Sequence, residues 1–90
     1  MIDRETRPRL APKARLKSDA KSGRYLLLYP ERGMELNPTG AEIVKLCTGE
    51  RTIAEIIALL AARHAPAPVE RIEREVVAFL EALHARALVA

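Results

Sequence analysis

The sequence predicts an α+β domain in which a three-stranded antiparallel sheet is followed by a three-helix bundle, and three observations predict it. Alternating residues and turn residues fill the stretch up to Leu36; apolar residues at helical spacing take over after Asn37-Pro38; Gly and Pro cut both halves into short pieces. The chain has 90 residues, enough for one core, since folding units usually need about 50 to 200 residues. Only 3% of the residues are aromatic, so that core is built from Leu, Ile, Val and Ala.

Each element has its own signal. Residues 1–13 contain Pro8 and Pro12 and no sustained period, which predicts a flexible or extended lead-in with Leu10 as its obvious anchor. Ala14 to Asp19 alternates weakly, Lys21-Ser22-Gly23 is a turn, and Tyr25 to Tyr29 is an apolar run, together a hairpin. Pro30-Glu31-Arg32-Gly33 reads as a second turn, and Met34-Glu35-Leu36 as a short third strand. The first helix opens either with Asn37 as N-cap and Pro38 at its first position, or with the capping box Thr39-x-x-Glu42, and stops at Gly49. A second box, Thr52-x-x-Glu55, opens a helix with Ile53, Ile56, Ile57, Leu60 and His64 on one face, ended by Pro66 and Pro68. Val69, Ile72, Val76, Phe79, Leu80 and Leu83 form the stripe of a third helix, and Leu88-Val89 closes the chain apolar. The tight connection from Thr48 to Arg51 makes the first two helices a helix-turn-helix, and the whole a winged helix-turn-helix-like fold.

Composition excludes several function classes. Cys47 is the single cysteine, so neither an internal disulfide nor a cysteine-based metal cluster can form within one chain, and a reducing cytoplasm is the expected compartment. The longest apolar run, Ile56 to Ala62, is far short of the roughly 20 residues that cross a bilayer, so no membrane contact is expected. Met1-Ile2-Asp3-Arg4-Glu5 carries acids and no apolar run follows, unlike a signal peptide. His64 and His84 lie near helix ends and Cys47 on an apolar face, with no metal spacing, phosphate loop or nucleophile motif around them. The expectation is a protein that is not an enzyme and carries no cofactor or metal.

Two binding functions remain. Residues 1–24 hold eight Lys or Arg against three acids, whereas the remainder holds seven against nine. Nucleic-acid binding is the alternative reading, carried by the basic segment Arg4, Arg7, Arg9, Lys13, Arg15 and Lys17; the third helix argues against it, setting Glu70, Glu73, Glu75 and Glu81 against Arg71, Arg74 and Arg86. Peptide binding has more support, because the third strand, Gly33 to Leu36, lies at a sheet edge to which an extended chain can pair. With about 100° per residue from Ile72, Val77 falls near ~140° and His84 near ~120°, off the core stripe. Val77 therefore either lines a groove or widens the stripe. On the strand-addition reading, a proline at Met34 removes an edge donor while Glu35→Ala changes little.

Arg9-Leu10-Ala11-Pro12, Leu28-Tyr29-Pro30-Glu31-Arg32-Gly33, Glu35-Leu36-Asn37, Ala41-Glu42-Ile43, Leu46-Cys47-x-Gly49, Arg51-Thr52-x-x-Glu55-Ile56 and the closing Leu88-Val89 resemble, in order and spacing, the PqqD proteins of pyrroloquinoline quinone biosynthesis. The resemblance covers about residues 8 to 89. It implies a peptide chaperone that binds the precursor peptide PqqA and presents it to the radical S-adenosylmethionine enzyme PqqE, which links a Glu and a Tyr of that peptide. It also implies a leader peptide added as a strand beside the third strand and packed on the third helix. Carried onto this chain, Gly33, Met34, Glu35 and Leu36 form the pairing edge, with Arg71, Arg74 and Val77 on the helical side. Two flanks compete there, Arg71 with Arg74 against Val77 with His84. Residues 1–13 are then an extended N-terminal segment and 14–90 a single winged-helix-like peptide-recognition domain, with Lys13, Arg15 and Lys17 as a candidate surface for the modifying enzyme. Both edges of so small a sheet also admit self-pairing, and hence a homodimer, with exchange of the N-terminal strand as one route.

Overall fold

The computed structural model of the chain describes residues 3–30 and 32–89; readings that fall on Met1, Ile2, Glu31 and Ala90 lie outside the described residues. Six elements follow one another: β1 (Arg15–Asp19), β2 (Arg24–Tyr29), β3 (Arg32–Leu36), α1 (Pro38–Leu46), α2 (Ile53–Arg63) and α3 (Val69–Ala85). The sheet is an antiparallel meander in the order β1-β2-β3, so β3 is an edge. Leu16 pairs with Leu27 and Leu27 with Met34, which places Leu16, Tyr25, Leu27, Tyr29, Met34 and Leu36 on one face. That face meets the helices: Leu27 is fully buried in one cluster with Ile43, Ile53, Ile56, Leu60, Ile72, Val76, Leu80 and Leu83.

The helix starts follow local chemistry. Of the two candidate caps for α1, Asn37 is used; its side chain accepts from the Gly40 N–H at 2.7 Å, and Pro38 occupies the first turn, where a missing N–H costs nothing. At α2 the Thr52 hydroxyl accepts from the Glu55 N–H at 3.1 Å while the Glu55 carboxylate accepts from the Thr52 N–H at 2.9 Å. The capping box thus forms in both directions.

Four local expectations differ from the structure. The turn after β2 is tighter than predicted: Tyr29 pairs with Arg32 and Leu28 with Gly33, so Arg32 and Gly33 belong to β3. Helix α1 ends at Leu46 rather than Gly49, because Thr48 leaves the helix to bridge Arg9; Gly49, at φ +84, makes the turn instead. Val69 is 54% exposed. It opens the first turn of α3, and the buried stripe starts one turn later at Ile72. The N-terminal segment is extended but held by more than Leu10. Pro8 is buried, the Pro8 carbonyl accepts from Gly49, the Thr6 carbonyl from Ile53 and the Arg4 carbonyl from Ala54, and Leu10 bridges Val89. Two prolines and no period hid this, because the segment is stabilised by backbone bonds to distant residues rather than by a pattern of its own.

Candidate functional site

Register decides which backbone groups of β3 are free. The two hairpins close on Asp19–Arg24 and Tyr29–Arg32. Closing pairs of tight hairpins are hydrogen-bonded, and alternation makes Leu27–Met34 and Tyr25–Leu36 hydrogen-bonded as well. The N–H and C=O of Gly33 and Glu35 therefore point away from β2, toward the open edge. Met34 faces inward with its N–H in the ladder, so a proline there breaks the hairpin; the edge donor that a proline can remove belongs to Glu35. Gly33 is exposed and sits opposite Leu28, where an added Cβ would lie 3.1 Å from the Leu28 side chain.

Just past the end of β3, a groove of about 440 Å³ opens between α1 and α3. Asn37, Thr39, Gly40 and Ile43 form one wall, and Arg71, Glu75, Ala78 and Phe79 the other. Gly40 is what lets the walls approach, since a Cβ there would stand 3.1 Å from a Phe79 ring carbon. Arg71 pairs with Glu75 at 3.3 Å, both side chains largely exposed, which leaves the guanidinium in contact with solvent at the groove mouth. Sequence reasoning assigned Phe79 and Ile43 to the core alone. A glycine in the first turn of a helix, where no positive φ is required, was the signal for a close approach.

The predicted helical residues separate. Arg71 lines the groove against α1, whereas Arg74 and Val77 open into a second depression on the opposite flank, beside Arg4, Glu70, Glu73 and Glu81. His84 belongs to neither; it faces Arg9, Leu10 and Val89. The pairings expected for the two flanks are therefore both broken. Val77 is half-buried against the core cluster, so it widens the stripe and lines the second depression at once.

The remaining reactive side chains are accounted for structurally. Cys47 is buried, its thiol donates to the Ile43 carbonyl at 3.2 Å, and burial pushes its pKa up to about 12. Glu42 lies 3.2 Å from the His64 imidazole and 3.8 Å from Arg63, tying α1 to the end of α2. Among the described residues, no cluster of His, Cys, Asp and Glu could hold a metal ion, and no helix is long and apolar enough to cross a membrane. Of the basic N-terminal residues, Arg4 pairs with Glu73 and Arg7 donates to the Glu50 carbonyl.

A sequence model of the family described as coenzyme PQQ synthesis protein D (PqqD) matches residues 24–89. The chain belongs to the PqqD family. This PqqD chain is 40% identical over 82 residues to a PqqA binding protein of Rhodopseudomonas palustris (strain TIE-1), covering 91% of this chain and 79% of that one. It is 33% identical over 87 residues to a PqqA binding protein of Xanthomonas axonopodis pv. citri (strain 306), covering 97% and 94%. The PqqD fold here is similar to the solution NMR structure of the PqqD truncation of Methylobacterium extorquens PqqCD, a stand-alone recognition element for ribosomally synthesized and modified peptides. The TM-score is 0.77 at 28% identity, covering 92% of this chain and 87% of that one. TbiB1, solved in complex with the TbiA(beta) leader peptide, shares the fold at a TM-score of 0.74 and 19% identity, covering 90% and 93%. The winged-helix-like architecture read from the sequence is thus the architecture of the family.

Proposed function

We propose that this PqqD chain binds the precursor peptide PqqA as an added strand on β3 and presents it to PqqE, without catalysing the modification itself. The observation that carries this reading is the open edge at Gly33 and Glu35 running into the groove at Gly40, Arg71 and Phe79, in a chain whose relatives are PqqA binding proteins. An extended peptide gains main-chain hydrogen bonds along the edge irrespective of its side chains, and the groove past Asn37 supplies selection by taking an apolar one. Of the residues expected to bind, Gly33, Met34, Glu35 and Leu36 form the edge strand, Arg71 guards the groove, and Arg74 with Val77 face a flank left free for a second partner. The same edge serves a second copy of the chain, so a homodimer through β3 and the peptide complex exclude one another.

An amide NMR titration with PqqA tests the reading. Shifts concentrated at Gly33, Glu35, Gly40, Arg71 and Phe79 are expected. Glu35→Pro, which removes one outward donor and leaves the β2 ladder intact, should weaken PqqA at least about tenfold, the equivalent of ~1.4 kcal/mol. Glu35→Ala should leave it within about twofold. Unchanged binding by a folded Glu35→Pro variant overturns strand addition on β3, and affinity that collapses with salt on any DNA duplex would favour the nucleic-acid alternative.

A further inference from the structure

The other end of β3 carries a feature that the peptide reading does not use. Where β1 begins, β2 ends and β3 begins, a depression of about 450 Å³ is lined by Lys13, Tyr29, Pro30, Arg32 and Arg86. Three cations from three parts of the chain converge here: Lys13 from the N-terminal segment, Arg32 from the first position of β3, and Arg86 from the C-cap of α3. Among the described residues, none of the three pairs with a carboxylate. Arg86 is held by its own backbone N–H, which donates to the Leu83 carbonyl at 3.1 Å, and the chain reverses directly after it through Ala87 at φ 57. Like charges gathered at one place repel one another, so an anion arriving there relieves the repulsion and gains charge-assisted hydrogen bonds.

We infer that this pocket is a second recognition subsite, taking an Asp or Glu side chain of the peptide that pairs with β3. The inference rests on the strand-addition reading and adds a spacing to it. Arg32, Met34 and Leu36 share the face of β3 that looks toward the helices, with the basic pocket at the Arg32 end and the α1–α3 groove at the Leu36 end. A strand laid along this edge also alternates, so its side chains on the same face recur every second residue. The carboxylate and the apolar side chain therefore stand about four residues apart on the peptide, ~13 Å along the strand. Two unlike anchors at a fixed separation set register and direction, which main-chain pairing alone leaves open.

The test is a carboxylate-to-amide scan of PqqA, each Asp and Glu changed singly to Asn or Gln, titrated against the unaltered protein and against the double variant Lys13→Gln, Arg86→Gln. Both altered side chains are exposed, and a native amide spectrum verifies the fold of the variant. One peptide position is expected to lose about tenfold in affinity for the unaltered protein and almost nothing for the variant. A flat scan, or losses of equal size in both proteins, overturns the subsite. The amides of Gly33 and Glu35 separate this failure from that of the underlying reading: if they respond to PqqA while the scan is flat, only the subsite falls, and if they are silent, strand addition falls too. A variant that binds PqqA normally but no longer couples to PqqE also overturns the inference, assigning the pocket to the enzyme.

Discussion

Gly49 and Ala87 occupy the same left-handed region, at φ +84 and 57, and only one of them is a glycine. Gly49→Ala forces a side chain into that region and should cost about 1 kcal/mol. Ala87 already bears the strain at the end of α3, where its N–H donates to the His84 carbonyl and that of Leu88 to the Leu83 carbonyl, so Ala87→Gly should stabilise by about 0.5–1 kcal/mol. Urea midpoints moving in opposite directions check both; a shared direction refutes the backbone explanation. Cys47 gives an alkaline signature. Its folded-state pKa of about 12 stands above the ordinary thiol value of 9.0, so the folded state holds its proton longer and stability declines as pH rises from 9.0 toward 12. Cys47→Ala should flatten that decline in a pH series of thermal melts. Glu55 acts with the opposite sign: hydrogen bonds from the Thr52 N–H and hydroxyl hold its carboxylate below the ordinary 4.5, so its contribution is present at neutral pH and is lost as pH falls through the depressed value. Thr52 and Asn37 were legible in the sequence because a cap needs only residues three positions apart. The groove at Gly40 was not, because its opposite wall, Phe79, lies on another helix.

At the scale of elements, the N-terminal segment is the part that sequence patterning underrated. It crosses the α1–α2 turn, receiving N–H donors from Gly49, Ile53 and Ala54, and its Arg9 pairs with Thr48. Deleting residues 1–9 should raise hydrogen exchange at Gly49, Ile53 and Ala54 while leaving the amides of Leu26 and Leu28 in β2 protected. Equal loosening of both regions would show that the segment stabilises the whole core rather than the turn. The strands were legible from alternation, yet the identity of the outward amides was not. That depends on the pairing of Tyr29 with Arg32, a matter of one residue in loop length, and a shift of one residue exchanges Met34 for Glu35 at the edge.

At the scale of the molecule, one apolar cluster holds sheet and helices together, and among the described residues no second core backs it. Leu60 of α2 is fully buried in that cluster, so Leu60→Ala should remove about 2–5 kcal/mol. For a chain of this size, total stability is ~5–13 kcal/mol, and the melting temperature should fall by about 10–30 °C. A melt shifted by less would mean that the neighbouring helices close over the gap. The meander and the successive helices are built from neighbours in sequence, and such local contacts form early and fast. The N-terminal segment is the exception, its backbone bonds reaching Gly49, Ile53 and Ala54 and its Leu10 bridging Val89. During synthesis the sheet can therefore assemble while the α3 sequence is still being added. The N-terminal segment can cover the α1–α2 turn once residues 48–54 have been made, whereas its Leu10 bridge closes only after Val89 follows, so the two ends of its attachment form one after the other.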